Sequence, residues 1–339
     1  MTRSIVVLEP GLFTTIQDLG RPGHARLGVS AAGAADPIAL RLANRLVGNP
    51  DAAAAIEMTL QGGVLRFEWD TVVALGGADM EATLDGHGLP PWTAARAGAA
   101  TTLRCGGARR GARTVVAVGG GIAVPPVLGS ASTHVASALG GVEGRALRRG
   151  DRLPLGPPPG SGAIVGDVAP DGGAGTLRHL SPAALARLAG AGGLTASAAA
   201  HGSPAIRVTR GTQWDAIPAA TRQAFLDGAF TVSGTSDRMG IRLEGTRIGD
   251  AGGGTMITEG MPLGAIQLPP GGQPVILFVD HQTTGGYPVI AAVITADLAR
   301  LGQLRPGEPV RFAQVTFEEA RALLLDQVRW LDDPGMLAP

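Results

Sequence analysis

Short apolar runs recur along this chain roughly ten residues apart, and this spacing favours a mainly β fold with a few helices. Glycine supplies 53 and proline 25 of the 339 residues, against usual shares of about 7% and 5%. The Asp85-Gly86 pair between two runs is typical of a hairpin turn, because both central positions of that turn need a positive φ. Closely spaced strands with little helix between them favour a barrel or a sandwich over a doubly wound sheet.

Two stretches predict helices with recognisable ends. Asp36 is a good N-cap, Pro37 suits the first helical position, and Gly48 follows the last turn. Near the C-terminus, Thr316 and Glu319 predict a capping box. The apolar residues of the helix that they open share one face: Phe317, Ala320, Leu324, Val328 and Leu331.

The length predicts about two domains. We expect an N-terminal β-barrel domain over residues 1–156 and a second β-barrel domain over 205–315. The proline- and glycine-rich stretch 157–204 is interpreted as a linker. Residues 316–339 are expected to form the C-terminal helix and a tail.

Charge and composition exclude several function classes. Lys+Arg and Asp+Glu are both 28, so the chain lacks the field that draws nucleic acid or an anionic membrane, and we expect neither partner. All the basic residues are arginine, which excludes a P-loop lysine, a Schiff-base lysine and a biotinyl-lysine within this sequence. The apolar runs are too short to span a bilayer or to serve as a secretory signal, so we expect a cytoplasmic protein.

Metal and nucleophile motifs are weak in this sequence. The six histidines are scattered without ligand spacing, and no metal site is expected. His281 stands out because it lies in a polar segment, so it is either a ligand contact or an ordinary core residue. The single cysteine, Cys105, is interpreted as a small buried apolar residue. No G-x-S-x-G elbow supports a serine hydrolase.

Several segments combine glycines with hydroxyl, amide or guanidinium side chains. Each is either a tight turn closed by side-chain hydrogen bonds or part of a ligand cleft, where glycine lets the backbone approach an anion or a carbonyl oxygen. The segment after the strand 115–118 also suggests a phosphate loop, although a turn or close packing explains it better. These segments are residues 14–23, 119–121, 129–133, 233–240, 264–267 and 280–288.

Asp237 and Arg238 allow two interpretations. They form a local turn with their charges solvated or paired to each other, or Arg238 holds a substrate carboxylate or phosphate bidentately and Asp237 orients it. Asp18 and Arg21 invite the same two interpretations. Asp18 and Asp237 are therefore candidates for an acid/base or an orienting role.

The motifs in these segments resemble those of the allophanate hydrolase subunit 2-like family. That family includes the C subunit of ATP-dependent 5-oxoprolinase, an antagonist of a sporulation-kinase inhibitor, and part of the carboxyltransferase region of urea carboxylase. The matching motifs, spread from near residue 10 to near residue 312, are TTIQDLGR (14–21), GAAD (33–36), ANRLVGN (43–49), GG (140–141), GR (144–145), GD (150–151), SDRMGIRL (236–243), GAIQ (264–267), GQP (272–274) and QTTGGYP (282–288).

The chain departs from the family pattern at a few positions. Ala131 stands where the family usually has an arginine between the two serines of a G-S-x-S-T loop, which removes a possible anion contact. The segment 211–215 lacks the usual proline, and Val289 stands where a basic residue often follows Tyr-Pro. Residues 157–204 have little to match.

The resemblance implies two tandem cyclophilin-like β-barrel domains and ATP-dependent opening of 5-oxo-L-proline to L-glutamate. It implies a subunit 1-like partner protein, and for 5-oxoprolinase a third subunit. ATP, with Mg on the nucleotide, is the implied cofactor, and without a Walker lysine it would meet backbone N–H groups and arginines or lie on the partner. Two alternatives stay open. One is a carboxyltransferase module acting on a urea-like amide with biotin carried by a partner, and the other is a non-catalytic antagonist of a kinase inhibitor.

The motifs and their chemistry together nominate the site residues. Asp18, Asp237 and Arg238 are the catalytic candidates, without an assignment of the general base. Arg21, like Arg238, would hold an anionic group. The other substrate-binding candidates would supply hydrogen bonds: Gln17, Ser132, Thr133, Ser236, Gln267, Gln282, Thr283, Thr284 and Tyr287.

Overall fold

The computed structural model describes residues 3–158, 176–190, 205–249 and 257–338. The described chain forms two compact units. Unit 1 contains residues 3–21, 32–158, 176–190 and 334–338, and unit 2 contains 22–31, 205–249 and 257–333.

The elements are numbered in chain order. The strands of the first half are β1 Ser4–Glu9, β2 Phe13–Gln17, β3 Ala55–Thr59, β4 Val64–Phe67, β5 Thr71–Asp79, β6 Thr83–Leu84, β7 His87–Gly88, β8 Thr93–Ala97, β9 Thr102–Arg104, β10 Arg110–Val118, β11 Arg152–Pro154 and β12 Thr176–Leu180. Those of the second half are β13 Ile206–Arg210, β14 Phe230–Val232, β15 Gly240–Gly245, β16 Glu259–Gly260, β17 Ala265–Gln267, β18 Val275–Leu277, β19 Thr284–Gly285, β20 Val289–Val293, β21 Pro309–Val310, β22 Phe312–Gln314 and β23 Leu337–Ala338. The α-helices are α1 Pro37–Leu46, α2 Pro182–Gly190, α3 Ala219–Asp227, α4 Leu298–Leu301 and α5 Phe317–Leu331.

Unit 1 is built on two antiparallel sheets. One has the order β11-β1-β4-β9-β6-β7, and the other the order β2-β3-β10-β5-β8-β12-β23. Ile16 pairs with Ile56 across β2 and β3, and both pack into one core with Ile5 and Phe67 of the first sheet. Because successive side chains of a strand point to opposite faces, Gln17 at the end of β2 is directed away from this core.

Unit 2 is built on one sheet with the order β21-β14-β15-β18-β17-β20-β13-β22, and a small sheet pairs β16 with β19. The pair β13–β22 is parallel. Phe225 of α3 stacks on Phe312 with ring centroids 4.6 Å apart, and Phe230 packs against both rings. The expected fold, mainly β with a few helices and two tandem cyclophilin-like β-barrel domains, is confirmed.

The local signals for the turn and the helix ends are also confirmed. Asp36 accepts a 2.9 Å hydrogen bond from Ala39 N at the start of α1. Thr316 and Glu319 close the predicted capping box of α5. Asp85 and Gly86 both have positive φ, +48° and +82°, between β6 and β7.

The apolar face predicted for α5 is not buried as a whole. Of its residues only Leu331 is buried, while Phe317 and Val328 are exposed. The helix is held to a neighbouring segment by the bond from Gln327 Nε2 to Ala296 O, 2.9 Å. Periodicity indicates which residues share a face, but a neighbouring element must cover that face to bury it.

The two units do not follow the sequence as two simple halves. Residues 22–31 lie in unit 2, where Ser30 Oγ donates to Val279 O at 3.2 Å. Most of the expected linker 157–204 lies outside the described residues. Its described elements, β12 and α2, belong to unit 1. Within the described ranges, no helix has the length and apolar character that crossing a bilayer requires.

Candidate functional site

The carboxylate of Asp18 ties two polar loops of unit 1 together. Its Oδ1 accepts hydrogen bonds from Ser130 Oγ (2.5 Å), Ser132 Oγ (2.6 Å) and Gly20 N (2.7 Å). Its Oδ2 accepts from Ala131 N at 2.6 Å. Four donors therefore converge on one buried carboxylate.

This coordination decides between the two roles that the sequence left open for Asp18. A general base needs an oxygen that can reach a substrate proton. Both oxygens of Asp18 already accept hydrogen bonds from its own and the facing loop. The geometry therefore favours the orienting role, in which Asp18 fixes the loop 130–133 against the end of β2.

Arg21 completes the connection between these loops. It is 2% exposed, and it donates from Nε to Val127 O at 3.2 Å and from Nη2 to Ser132 O. A buried guanidinium that bonds to backbone carbonyls holds the loop in shape. Its predicted role as an anion holder stays a prediction.

Gln17 and Thr133 link the end of β2 to the same loop. Gln17 Nε2 donates to Thr133 O at 3.1 Å and to Thr15 Oγ1 at 2.9 Å. Thr133 Oγ1 donates to Ile16 O at 3.0 Å. Gln17 Oε1 is buried and has no partner among the described residues, so it is an acceptor that a ligand N–H or O–H could satisfy.

Two glycines make this packing possible. Gly140 and Gly141 have φ of +67° and +56°. A Cβ on Gly140 would lie 2.1 Å from Ser132 O, and one on Gly141 would lie 2.0 Å from Thr133 Oγ1. Only glycine permits both the backbone conformation and this close approach.

In unit 2, Arg238 forms a buried ion pair with Asp280. Its Nε donates to Oδ2 at 2.8 Å and its Nη2 donates to Oδ1 at 3.0 Å. Both side chains are 8% exposed. The bidentate clasp predicted for a substrate anion is thus made with a carboxylate of the protein.

Asp237 does not orient Arg238, which corrects that interpretation. The exposed Asp237 accepts from Met239 N (2.8 Å) and Gly240 N (3.0 Å), so its carboxylate closes a turn before β15. Ser236 bonds to the backbone of Arg242, accepting from N at 3.0 Å and donating to O at 3.3 Å. The turn interpretation is confirmed for Asp237, because Asp and Ser side chains readily bond to nearby backbone groups, whereas Arg238 is paired with Asp280 and not with Asp237.

Two of the nominated residues of unit 2, Gln267 and Gln282, lie together. Gln282 Nε2 donates to Gln267 Oε1 at 3.4 Å, and Gln267 Nε2 lies 3.3 Å from Met261 Sδ. Gln267 is buried and Gln282 is exposed. Thr283 O accepts from Met261 N at 2.9 Å, which holds the loop carrying Gln282 over Gln267.

The rest of that loop faces solvent. Thr284 and Tyr287 are exposed and Thr283 is half-buried. Thr284 belongs to the short β16–β19 pair. Exposed hydroxyls and an exposed amide on one loop can reach a ligand without moving a buried group.

His281 lies beside this loop and is buried. Its Nδ1 is 2.7 Å from Gln282 O. Burial lowers the pKa of His281 below its usual 6.5, against smaller raising effects of the Gln282 carbonyl and Asp280. The ring is therefore held neutral, donating from Nδ1.

Two further sequence predictions are confirmed. Cys105 is buried, and burial raises the pKa of its thiol to about 12, so it is an inert packing residue. The segment 119–121 is a tight turn: a Cβ on Gly120 would lie 2.6 Å from Gly156 O. In the described part of the chain, no cluster of His, Cys, Asp or Glu has the arrangement of a metal site.

Sequence reasoning missed some residues of these clusters. Ser130 bonds to Asp18, and the paired serines of the loop 129–133 were a signal for it. Asp280, the partner of Arg238, carried no local signal because the two are 42 residues apart. Gln213 bonds from Nε2 to Glu259 at 3.2 Å and accepts from Val289 N at 2.9 Å, and it too was not nominated.

Comparison with known proteins identifies a family that this chain matches and relatives that match it over nearly their full length. Residues 27–314 match the family model described as "Carboxyltransferase domain, subdomain A and B". The C subunit of the 5-oxoprolinase of Escherichia coli K12 is 37% identical over 330 residues, covering 96% of this chain and 96% of that protein.

Larger proteins contain a region similar to this chain. The urea amidolyase of Saccharomyces cerevisiae is 33% identical over 330 residues, covering 94% of this chain but 17% of that protein. The crystal structure of the Kluyveromyces lactis urea carboxylase matches with a TM-score of 0.81 and 30% identity, over 100% of this chain and 30% of that one. These matches show that the chain belongs to the carboxyltransferase domain, subdomain A and B, family.

Proposed function

We propose that this chain is the C subunit of an ATP-dependent 5-oxoprolinase. In this reaction 5-oxo-L-proline is opened to L-glutamate and ATP is hydrolysed to ADP and phosphate. The supporting observation is the reciprocal match to the C subunit of a 5-oxoprolinase, which covers 96% of both chains. We infer that it acts with a subunit 1-like partner and a third subunit.

The exposed loop 282–288 of unit 2 presents hydrogen-bond donors of the kind that this reaction needs. A lactam is a stable amide, and phosphorylation of its carbonyl oxygen by ATP makes the carbonyl carbon susceptible to attack by water. Such a site needs donors for carbonyl and phosphoryl oxygens and a positive group for the substrate carboxylate. The exposed Gln282, Thr284 and Tyr287 can supply donors, and buried Asp18 and Arg238 hold the loops in place.

ATP is proposed as the cofactor, carrying Mg on its own phosphates. This chain has no lysine for a P-loop, so backbone N–H groups and arginines of this chain, or the partner subunit, would meet the phosphates. Nucleotide binding by the separate chain and by the complex, measured by calorimetry with Mg-ATP, distinguishes these two locations.

The experiment that tests the proposal is an omission assay. The chain is co-expressed with the proposed partners, a subunit 1-like protein and a third subunit, and glutamate formed from 5-oxo-L-proline and Mg-ATP is measured. Glutamate formation that needs this chain and ATP supports the proposal. Full activity without this chain contradicts it.

A carboxyltransferase role is the second candidate, favoured by the match to the Kluyveromyces lactis urea carboxylase at a TM-score of 0.81. Because this sequence contains no lysine, biotin would have to be carried by a partner. The same complex is therefore probed with streptavidin and assayed with urea, bicarbonate and Mg-ATP. A biotinylated partner and urea-dependent ADP release, without glutamate from 5-oxo-L-proline, would favour this candidate over the first.

A further inference from the structure

Unit 1 contains a cavity that shares no residue with the Asp18 cluster. Its volume is about 360 Å³, and it lies where β5 begins and β8 and β10 end. Thr71, Arg96 and Gly119 line it together with Arg3, which precedes β1. In the sheet order, β3 and β10 separate β5 from β2, the strand that leads to Asp18.

The charge of the cavity is positive. Arg96 is exposed and has no hydrogen-bond or ion-pair partner among the described residues, and Arg3 donates from Nη1 to Gly156 O at 2.9 Å. The one carboxylate in the lining, Asp70, accepts from Ala99 N at 2.7 Å. The lining therefore carries two guanidinium groups and one carboxylate, and that carboxylate already accepts a hydrogen bond from a backbone N–H.

Two polar atoms of the lining residues are buried without a partner. They are Thr71 Oγ1 and Arg3 Nε, as far as the described chain extends. Leaving such a group unsatisfied is unfavourable. An oxyanion bound in the cavity would offer acceptors to these two donors.

The apolar part of the lining and the volume of the cavity indicate the size and polarity of the rest of the ligand. Val72, Ala97 and Pro158 give the cavity apolar walls, and its volume is at the small end of the range for ligand sites. Arginine pairs bidentately with carboxylate and phosphate oxygens. We propose that this cavity binds a small organic oxyanion, a carboxylate or phosphate with a short apolar body, through Arg96, Arg3 and Thr71.

The test uses matched probes on the full chain by isothermal titration calorimetry. Butyrate and its amide, butyramide, have the same shape but differ in charge, and inorganic phosphate distinguishes the two oxyanion classes. The variants are Arg96→Gln, which removes the unpaired cation, and Thr71→Val, which removes the hydroxyl at nearly constant volume. Arg66→Gln, an exposed arginine on β4, is the control, and a thermal melt of each variant verifies folding.

The proposal predicts saturable binding of butyrate or phosphate and none of butyramide. Arg96→Gln and Thr71→Val should each weaken that binding about tenfold, the factor that one charge-assisted hydrogen bond contributes, and Arg66→Gln should leave it unchanged. Absence of saturable binding by both anions contradicts the proposal, and so does binding that survives both variants. Phosphate is also a product of the proposed reaction, so the binding that counts is the part that Arg96→Gln and Thr71→Val weaken and Arg66→Gln does not. That comparison is independent of the 5-oxoprolinase assignment.

Discussion

Arg238 and Asp280 are joined by two parallel hydrogen bonds of 2.8 and 3.0 Å in the interior of unit 2. The strands β15 to β18 lie between them in sequence. The pair fixes the loop that carries His281 and Gln282, which follow Asp280 directly. Arg238 is thus a positioning residue for the exposed polar loop of this unit.

Removing one partner of this pair should strongly destabilise the protein. Arg238→Ala or Asp280→Asn leaves an uncompensated buried group, and we expect a loss of about 3–5 kcal/mol in the free energy of unfolding. Urea denaturation measures it. Arg109→Gln is the control, because its 2.7 Å pair with Glu81 is exposed and should contribute little to stability. Equal effects of the buried and exposed substitutions would contradict this account.

The Asp18 cluster should behave as one coupled unit. In Asp18→Asn the amide NH2 must face an O–H or N–H donor, so we expect a loss of about 1–3 kcal/mol. A double-mutant cycle with Ser130→Ala should show a coupling energy of about 0.5–3 kcal/mol. Asp85→Asn is the control, since this exposed residue accepts a bond from Thr102 N at 2.7 Å at the protein surface. Additive effects at Asp18 and Ser130 in urea melts would refute the coupling.

A matched pair of glycines tests the close packing of the loop 130–133. Gly140→Ala places a Cβ 2.1 Å from Ser132 O at φ +67°, whereas Gly129→Ala at φ +81° meets nothing within 4 Å. Both carry the cost of a left-handed backbone, about 1–2 kcal/mol, and Gly140→Ala adds overpacking of ~1–3 kcal/mol. Thermal melts should rank the wild type above Gly129→Ala and Gly129→Ala above Gly140→Ala. The reverse order of the two variants would show that this packing is loose.

His281 should make stability depend on pH near neutrality. Burial lowers its pKa in the folded state, so on acidification the unfolded chain takes up this proton first. Stability from this group is therefore fully present above the unfolded pKa of about 6.5 and is lost as pH falls towards the folded pKa.

The measurement is the free energy of unfolding between pH 8 and 5 for the wild type and two variants. His281→Asn should flatten the slope below about pH 6.5. His87→Asn, which replaces an exposed histidine, is the control for the substitution itself. A slope that His281→Asn does not alter would contradict the buried neutral ring.

Local signals in the sequence predicted much of the fold. The caps of α1 and α5 and the Asp85-Gly86 turn depend on side chains within a few residues of each other, so their chemistry can be read along the chain. The burial of α5 could not be predicted in this way, because it depends on which distant segment covers Phe317 and Val328.

The residues of the candidate site likewise divide into those that local sequence signals predicted and those that depend on tertiary contacts. The segments 14–21 and 129–133 were both recognised as polar loops, but their joining through Asp18 and Ser130, 112 residues apart, is a tertiary contact. The sequence suggested that Asp237 acts on Arg238 because the two are adjacent. In the structure the Asp237 carboxylate accepts from the backbone N–H groups of the turn that follows it, and the partner of Arg238 is Asp280. The family motifs nominated the loops, and the folded geometry separates their buried supports from their exposed groups.

Substitution of the exposed side chains in the loop 282–288 tests their part in the proposed reaction. Gln282→Ala in the reconstituted complex should lower the rate of glutamate formation about 10²-fold if its amide contacts the transition state. Gln223→Ala is the matched control on the exposed side of α3, where its amide bonds to Asp227 at 2.8 Å. Rates that fall equally in both variants would place Gln282 outside the site.

The central claim is that this chain serves ATP-coupled opening of 5-oxo-L-proline. The measurement that tests it most directly is the ratio of glutamate formed to ADP released by the complex, with and without this chain. The account predicts one glutamate per ADP when the chain is present and no glutamate when it is absent. ADP release without glutamate in the complete complex, or glutamate at the full rate in its absence, would contradict the account.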